Sequence, residues 1–221
     1  MEKISFNIFG IVLLEPMTFF TDILIAICCF IFYFKLNNLE IQEFDNKYFK
    51  RFFNVFGIST LIGGFAHFFY NYSGISLHLL SWILSGLSIY YIEMCSITFI
   101  NSRKLQKVLN ILIYFQLFAF ILTVLYFKNF QFVKYNSTIG LIAIVFTVEL
   151  VSLIKSKNRG SSLILTGIFF TLISAIVHAS KFSINKWFNY NDLSHIFLII
   201  CLYFIYIGAT YKISFVEAKN S

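Results

Sequence analysis

The sequence predicts an all-α, polytopic integral membrane protein with seven transmembrane helices, amino terminus outside and carboxyl terminus in the cytoplasm. Three observations carry that prediction. The chain is 59% hydrophobic and 12% charged, with a mean hydropathy of +0.81, against about 25% charged residues in an ordinary soluble domain. Its apolar residues fall in blocks close to the roughly 20 residues a helix needs to cross the hydrocarbon core. Lysine and arginine crowd into alternate connections, as they do on the cytoplasmic side of membranes. The alternating ten-residue strands of an outer-membrane barrel are absent.

Taken in order, the spans predicted are Met17 to Phe34, Phe52 to Tyr70, Ile75 to Ile100, Val108 to Phe127, Thr138 to Ile154, Ser162 to Ala179 and Leu193 to Tyr211. Each is bounded by basic or polar residues and none contains a proline, so each can run as an unbroken helix with its backbone groups satisfied internally. Pro16, the one proline, suits the first turn of the first helix, where its missing N–H leaves nothing unpaired. Residues 1–16 hold "ISFNIFGIVLL", apolar but about half a span in length. They are predicted to lie in the interface or to cover a helix mouth. Glu2 precedes Lys3 and the first long block lacks a small-residue cleavage site, so that block is expected to be a retained span. No repeat or linker divides the chain, which reads as a single membrane domain over 1–221.

Orientation follows from the bases. Lys35, Lys47, Lys50, Arg51, Arg103, Lys104, Lys107, Lys155, Lys157, Arg159, Lys212 and Lys219 fall on one side, twelve of the 17 Lys and Arg. Lys3, Lys128, Lys134, Lys181 and Lys186 fall on the other. The same bias produces the net charge of +7, so that charge predicts no nucleic-acid partner; bases interleaved with stacking aromatics on a solvated face are missing. The partner predicted is the lipid bilayer of the cell membrane. Cys28, Cys29, Cys95 and Cys201 lie within spans and read as small buried apolar residues, not as a disulfide framework.

This topology puts all four histidines, His67, His78, His178 and His195, in the outer leaflet, together with Glu15, Asp22 and Asp192. Residues three, four or seven apart share a helix face. Glu15, Thr18 and Asp22 then form one stripe, His67, Tyr70 and Asn71 a second, Ser174, His178 and Lys181 a third, and Asp192 with His195 a fourth. Polar stripes turn away from lipid, so the four predict an outward-facing polar cavity. Glu15 just before the helix favours its positive start. Asp22 is different, because an ionised Asp at a span's centre costs about 2.5–3.5 kcal/mol and calls for a partner.

Imidazoles from three helices with an open fourth position are what a catalytic zinc site uses. His67, His178 and His195 are the candidate ligands. Asp22 is the candidate general base or an acid that supports the ligands from behind, and Asp192 the acid that would orient His195 through its other ring nitrogen. No HExxH, HxxxH or CxxC motif accompanies them. His78, beside Trp82 at a helix end, fits an interfacial pair. A transporter or receptor without catalysis is the alternative, with Asp22, Glu93 and Glu149 as stepping stones for protons or cations; the internal repeats and broken helices of transporters are not evident. Glu93 and Glu149 could equally pair with inner-side lysines or snorkel to the cytoplasmic interface.

"GGFAH" in the second span and "NDLSH" opening the seventh resemble the seven-helix superfamily of alkaline ceramidases and adiponectin-type receptors. The chain also resembles an uncharacterised bacterial seven-helix family with an "EPxTxxTD" start. The first resemblance implies a three-histidine zinc and hydrolysis of a lipid substrate, and carries over to His67 and His195. Where that superfamily has a second histidine four residues on in the last helix, this chain has Ile199, and Gly63 and Gly64 stand where its serine precedes the second-span histidine.

Overall fold

The protein is described here by a computed structural model covering residues 4–39 and 43–220, with side chains over 4–39 and 47–214. Two of the lysines that bear on orientation, Lys3 and the side chain of Lys219, lie outside the described residues.

The segment before Pro16 forms a β-hairpin. Strands β1 (Ser5–Ile8) and β2 (Ile11–Leu14) pair antiparallel with Ser5 opposite Leu14 and Ile8 opposite Ile11. That register leaves a two-residue turn, Phe9 and Gly10, with φ of 52° and 84°. Two positive φ values match the strand twist of a hairpin, and the Gly10 N–H donates to Asn7 Oδ1 at 3.0 Å. The hairpin closes one end of the bundle: Leu13 and Leu14 are buried, the Val12 N–H donates to Tyr72 Oη at 2.9 Å, and Phe6 meets Trp187 with ring centroids 5.6 Å apart. The sequence reading places this segment in the interface or over a helix mouth and predicts no strand in it.

Helix α1 (Pro16–Asn37) is entered through Glu15, whose φ of 47° and ψ of 54° are left-handed. That conformation is unusual before proline and costs on the order of 1–3 kcal/mol. It is held by the Glu15 N–H donating to the Ile4 carbonyl at 2.9 Å. Then follow α2 (Glu43–Phe68), the single turn α3 (Tyr70–Ser73), α4 (Ser76–Thr98) and α5 (Arg103–Phe127). A continuous run over Gln131–Ser156 comprises α6 (Gln131–Thr138), a π-helical stretch (Ile139–Phe146) and α7 (Thr147–Ser156), and α8 (Arg159–Ser180) and α9 (Tyr190–Asn220) complete the chain.

Six of these are long and apolar enough to cross a membrane: α1, α4, α5, the run Gln131–Ser156, α8, and α9 through Ser214. α2 has the length, at 26 residues, but carries Asn54, Ser59, Thr60 and His67 and is wedged between α1 and α4. Its small residues allow both approaches. A Cβ on Gly57 would meet Phe30 and Cys29 of α1 at 3.0–3.3 Å, and one on Gly64 would meet Asp22 Cβ at 3.1 Å. Toward α4, Ser59 and Ser81 hydroxyls each donate to the other residue's carbonyl, at 2.8 and 2.9 Å. Gly86, by contrast, makes room for Phe120 of α5. α8 and α9 touch backbone to backbone, since a Cβ on Gly160 would stand 2.6 Å from the Gly208 carbonyl.

The main core lies inward of the hairpin end, between α1, α2, α4, α8 and α9, around Ile25, Cys29, Phe53, Ile92, Ile168, Cys201 and Leu202. All four cysteines are free and three are buried.

Candidate functional site

α1 and α9 run in the same direction from the hairpin end, and their contacts keep one register. Thr18 meets Asp192, Thr21 meets His195, and Phe32 stacks on Tyr206 with centroids 4.7 Å apart, each pair 174 residues apart in sequence. The first rung is made by the way α9 begins. Asn189 Oδ1 accepts from the Asn191 N–H at 2.7 Å, while Asp192 Oδ2 reaches back to the Asn189 N–H at 2.7 Å. This reciprocal arrangement is a capping box. Its other carboxylate oxygen, Asp192 Oδ1, accepts from the Thr18 hydroxyl at 2.8 Å. Asp192 is fully buried and fixes where α9 starts against α1.

One turn further in, the second rung carries chemistry. His195 Nδ1 lies 2.7 Å from Thr21 Oγ1, and His195 Nε2 lies 3.7 Å from Asp22 Oδ1. The group at Nδ1 is thus Thr21, not Asp192. The Thr21 hydroxyl also stands 3.1 Å from the Thr18 carbonyl, which gives its proton two acceptors. Pointed at Thr18, it leaves Nδ1 to carry the ring proton and turns a bare Nε2 toward Asp22. Rotated to Nδ1, it turns an Nε2–H toward Asp22. A hydroxyl rotation therefore matches either tautomer of His195, the property required of a group that takes and returns a proton. Asp22 and Thr21 are both buried at 6% exposure, and Gly63 and Gly64 let α2 close over Asp22: a Cβ on Gly63 would lie 3.9 Å from Asp22 Oδ2.

His67 forms a second carboxylate–imidazole pair, with Nδ1 3.1 Å from Glu15 Oε2, and its ring packs edge-on against His78 at 4.8 Å. His78 in turn lies against Trp82 at 5.8 Å. His178 is set among aromatic rings. Its ring contacts Tyr190 at 5.3 Å and Phe130 at 5.7 Å. The structure thus gathers Glu15, Asp22, His67, Asp192 and His195 at the hairpin end, but divides the three histidines among separate settings. Among the described residues no group of three or more His, Cys, Asp or Glu side chains could hold a metal ion. His67, His178 and His195 as placed do not fit zinc.

Deeper carboxylates are paired individually. Glu93, on α4, accepts from Gln116 Nε2 at 2.9 Å, and Gln116 also donates to Asn136 Oδ1 at 3.2 Å. Gly140 in the π-helical stretch leaves the space Glu93 fills, since a Cβ there would fall 2.5 Å from Glu93 Oε1. At the far end Lys212 Nζ contacts Glu149 Oε1 at 2.8 Å and Oε2 at 2.6 Å, and Ser96 donates to Oε1 at 3.0 Å. Glu149 therefore does pair with a lysine, but that lysine is buried inside the bundle. Between these groups and His195 stands the apolar core, beginning at Ile25 and Cys201.

The sequence stripes single out Thr18 and not Thr21. A threonine beside an acid in an apolar run is a signal only when the facing helix is known. The Glu149–Lys212 pair was legible only as a possibility, because nothing in the sequence aligns positions 63 residues apart.

Six apolar spans and a polar network at one end define a multi-pass membrane protein. The chain belongs to a family of unknown function, DUF6962, whose model matches residues 17–213. That range runs from α1 into α9 and takes in both helices of the Asp22–His195 site. No curated protein and no solved structure matches the chain.

Proposed function

We propose that the protein is a seven-span protein of the cell membrane, with α2 as the internal span and the hairpin end outside, and that it hydrolyses a lipid by acid–base catalysis at the outer leaflet. The observation that carries this reading is His195 held between Thr21 and Asp22, able to present either a bare or a protonated nitrogen. In the reaction, His195 takes a proton from water as the oxygen adds to an ester or amide carbonyl carbon, with Asp22 stabilising the imidazolium. The same proton passes to the leaving oxygen or nitrogen as the carbonyl–heteroatom bond breaks. General acid–base assistance of this kind contributes about 10²–10⁴-fold. The resemblance of "GGFAH" and "NDLSH" to membrane hydrolases supports the same reaction class.

The second reading is transport of protons or cations, and buried Glu93 and Glu149 favour it. Against it stands the apolar core between His195 and the Glu149–Lys212 pair. Protein reconstituted into vesicles of total membrane lipid, with an enclosed pH dye, separates the two. Hydrolysis predicts new fatty acid or lyso-lipid by mass spectrometry and no proton flux; flux without product reverses the assignment.

A further inference from the structure

We propose that the outer mouth between α6 and α8 is a binding site for an anionic phosphate headgroup, formed by His178, Lys134 and Lys181. It rests on the lipid-hydrolase reading for its purpose and on separate residues for its evidence. His178 Nδ1 is buried and has no hydrogen-bond partner among the described residues. A polar atom enclosed without a partner loses its hydration with nothing in return, and points to a missing ligand or water. Around it the charge is positive. Lys134 Nζ lies 5.9 Å from the Phe130 ring, which itself packs on His178 at 5.7 Å. Lys181 is three residues past His178, at the end of α8. Neither lysine has a carboxylate partner among the described residues. The nearest acid in sequence, Asp192, is committed to Thr18 and the Asn189 N–H.

The surroundings suit an amphiphile. Phe130 and Tyr190 flank the His178 ring as apolar walls. α6 leans on α4 and α5, and the run Gln131–Ser156 packs on α8 through its π-helical stretch and α7, further from the hairpin end. Acyl chains could therefore enter between α6 and α8 from the outer leaflet, with the phosphate against the two ammonium groups and the His178 Nδ1–H.

The test is lipid binding by the full-length protein in an uncharged detergent, read by native mass spectrometry. The probes are phosphatidylglycerol, diacylglycerol of the same chains, and inorganic phosphate as competitor. The wild type is expected to bind phosphatidylglycerol and not diacylglycerol. Lys134→Gln and Lys181→Gln should each weaken binding about fivefold, the effect of one basic residue at a lipid surface. His178→Phe keeps the ring packing and should weaken it as well. Competition by millimolar inorganic phosphate would assign the site to the free anion as source; no competition assigns it to the lipid. Equal binding of phosphatidylglycerol and diacylglycerol, or wild-type binding by the Lys134→Gln/Lys181→Gln protein, overturns the proposal. Asp22→Asn separates the two readings. It should retain binding while losing turnover, and turnover of a phosphate-free lipid would leave hydrolysis standing while this site falls.

Discussion

Replacing Lys212 by Met should destabilise the protein by about 3–5 kcal/mol, the cost of leaving a buried charge without its partner. Lys212 and Glu149 are 1% and 0% exposed, and the ammonium contacts both carboxylate oxygens and lies 4.2 Å from the Phe99 ring. Once the lysine is gone, the Ser96 hydroxyl is the one donor left to Glu149 among the described residues. At roughly 2–4 °C per kcal/mol for a chain of this length, thermal unfolding in detergent should shift down by on the order of 10 °C. Glu149→Gln combined with Lys212→Met removes the charge altogether and should recover most of that loss. A Lys212→Met protein as stable as wild type, or a double variant no better than the single one, would refute the assignment of a buried ion pair.

Three further outcomes follow from the same contacts. Asp192→Ala removes the capping-box acid and the Thr18 acceptor together, and should cost about 0.5–2 kcal/mol, with faster amide hydrogen exchange confined to the first turn of α9. Gly208→Ala forces a methyl against backbone of α8 at 2.8 Å, whereas Gly86→Ala meets the movable Phe120 ring; the first should lower the unfolding temperature more than the second, by an overpacking cost of about 1–3 kcal/mol. Tyr72→Phe deletes the acceptor of the Val12 N–H, so exchange at Val12 should accelerate and limited proteolysis should cut the hairpin first, without a change in global stability.

Much of the architecture is legible in the sequence because one signal, block hydrophobicity, is strong and local. Two helices start well before their apolar blocks: α2 begins at Glu43 and not Phe52, and the run to Ser156 begins at Gln131 and not Thr138, whereas α4, Ser76–Thr98, falls just inside the block Ile75 to Ile100. Polar turns continue a helix where the backbone can still bond, and hydropathy is blind to that. The hairpin was hidden for a related reason. "SFNI" and "IVLL" show no clean alternation, and Phe9 is a poor signal for a left-handed turn residue. Depth could be read for Asp22, His67, Asp192 and His195, since it needs only residue counting. Azimuth could not. Whether His178 turns toward His195 or toward Phe130 depends on helix rotation, which packing decides, and there the expected three-histidine cluster gave way to two carboxylate–imidazole pairs and a separate aromatic setting. Glycine content alone does not name a packing partner: Gly64 faces α1 and Gly86 faces α5.

The most direct test of the central claim is lipid turnover by reconstituted protein carrying Asp22→Asn or His195→Gln, each nearly isosteric with the residue it replaces. Both should bind lipid and unfold near the wild-type temperature, yet lose about 10²-fold or more of the rate, while Glu93→Gln, away from the α1–α9 rungs, keeps it. Wild-type turnover by either site variant would contradict the account, as would equal loss in Glu93→Gln.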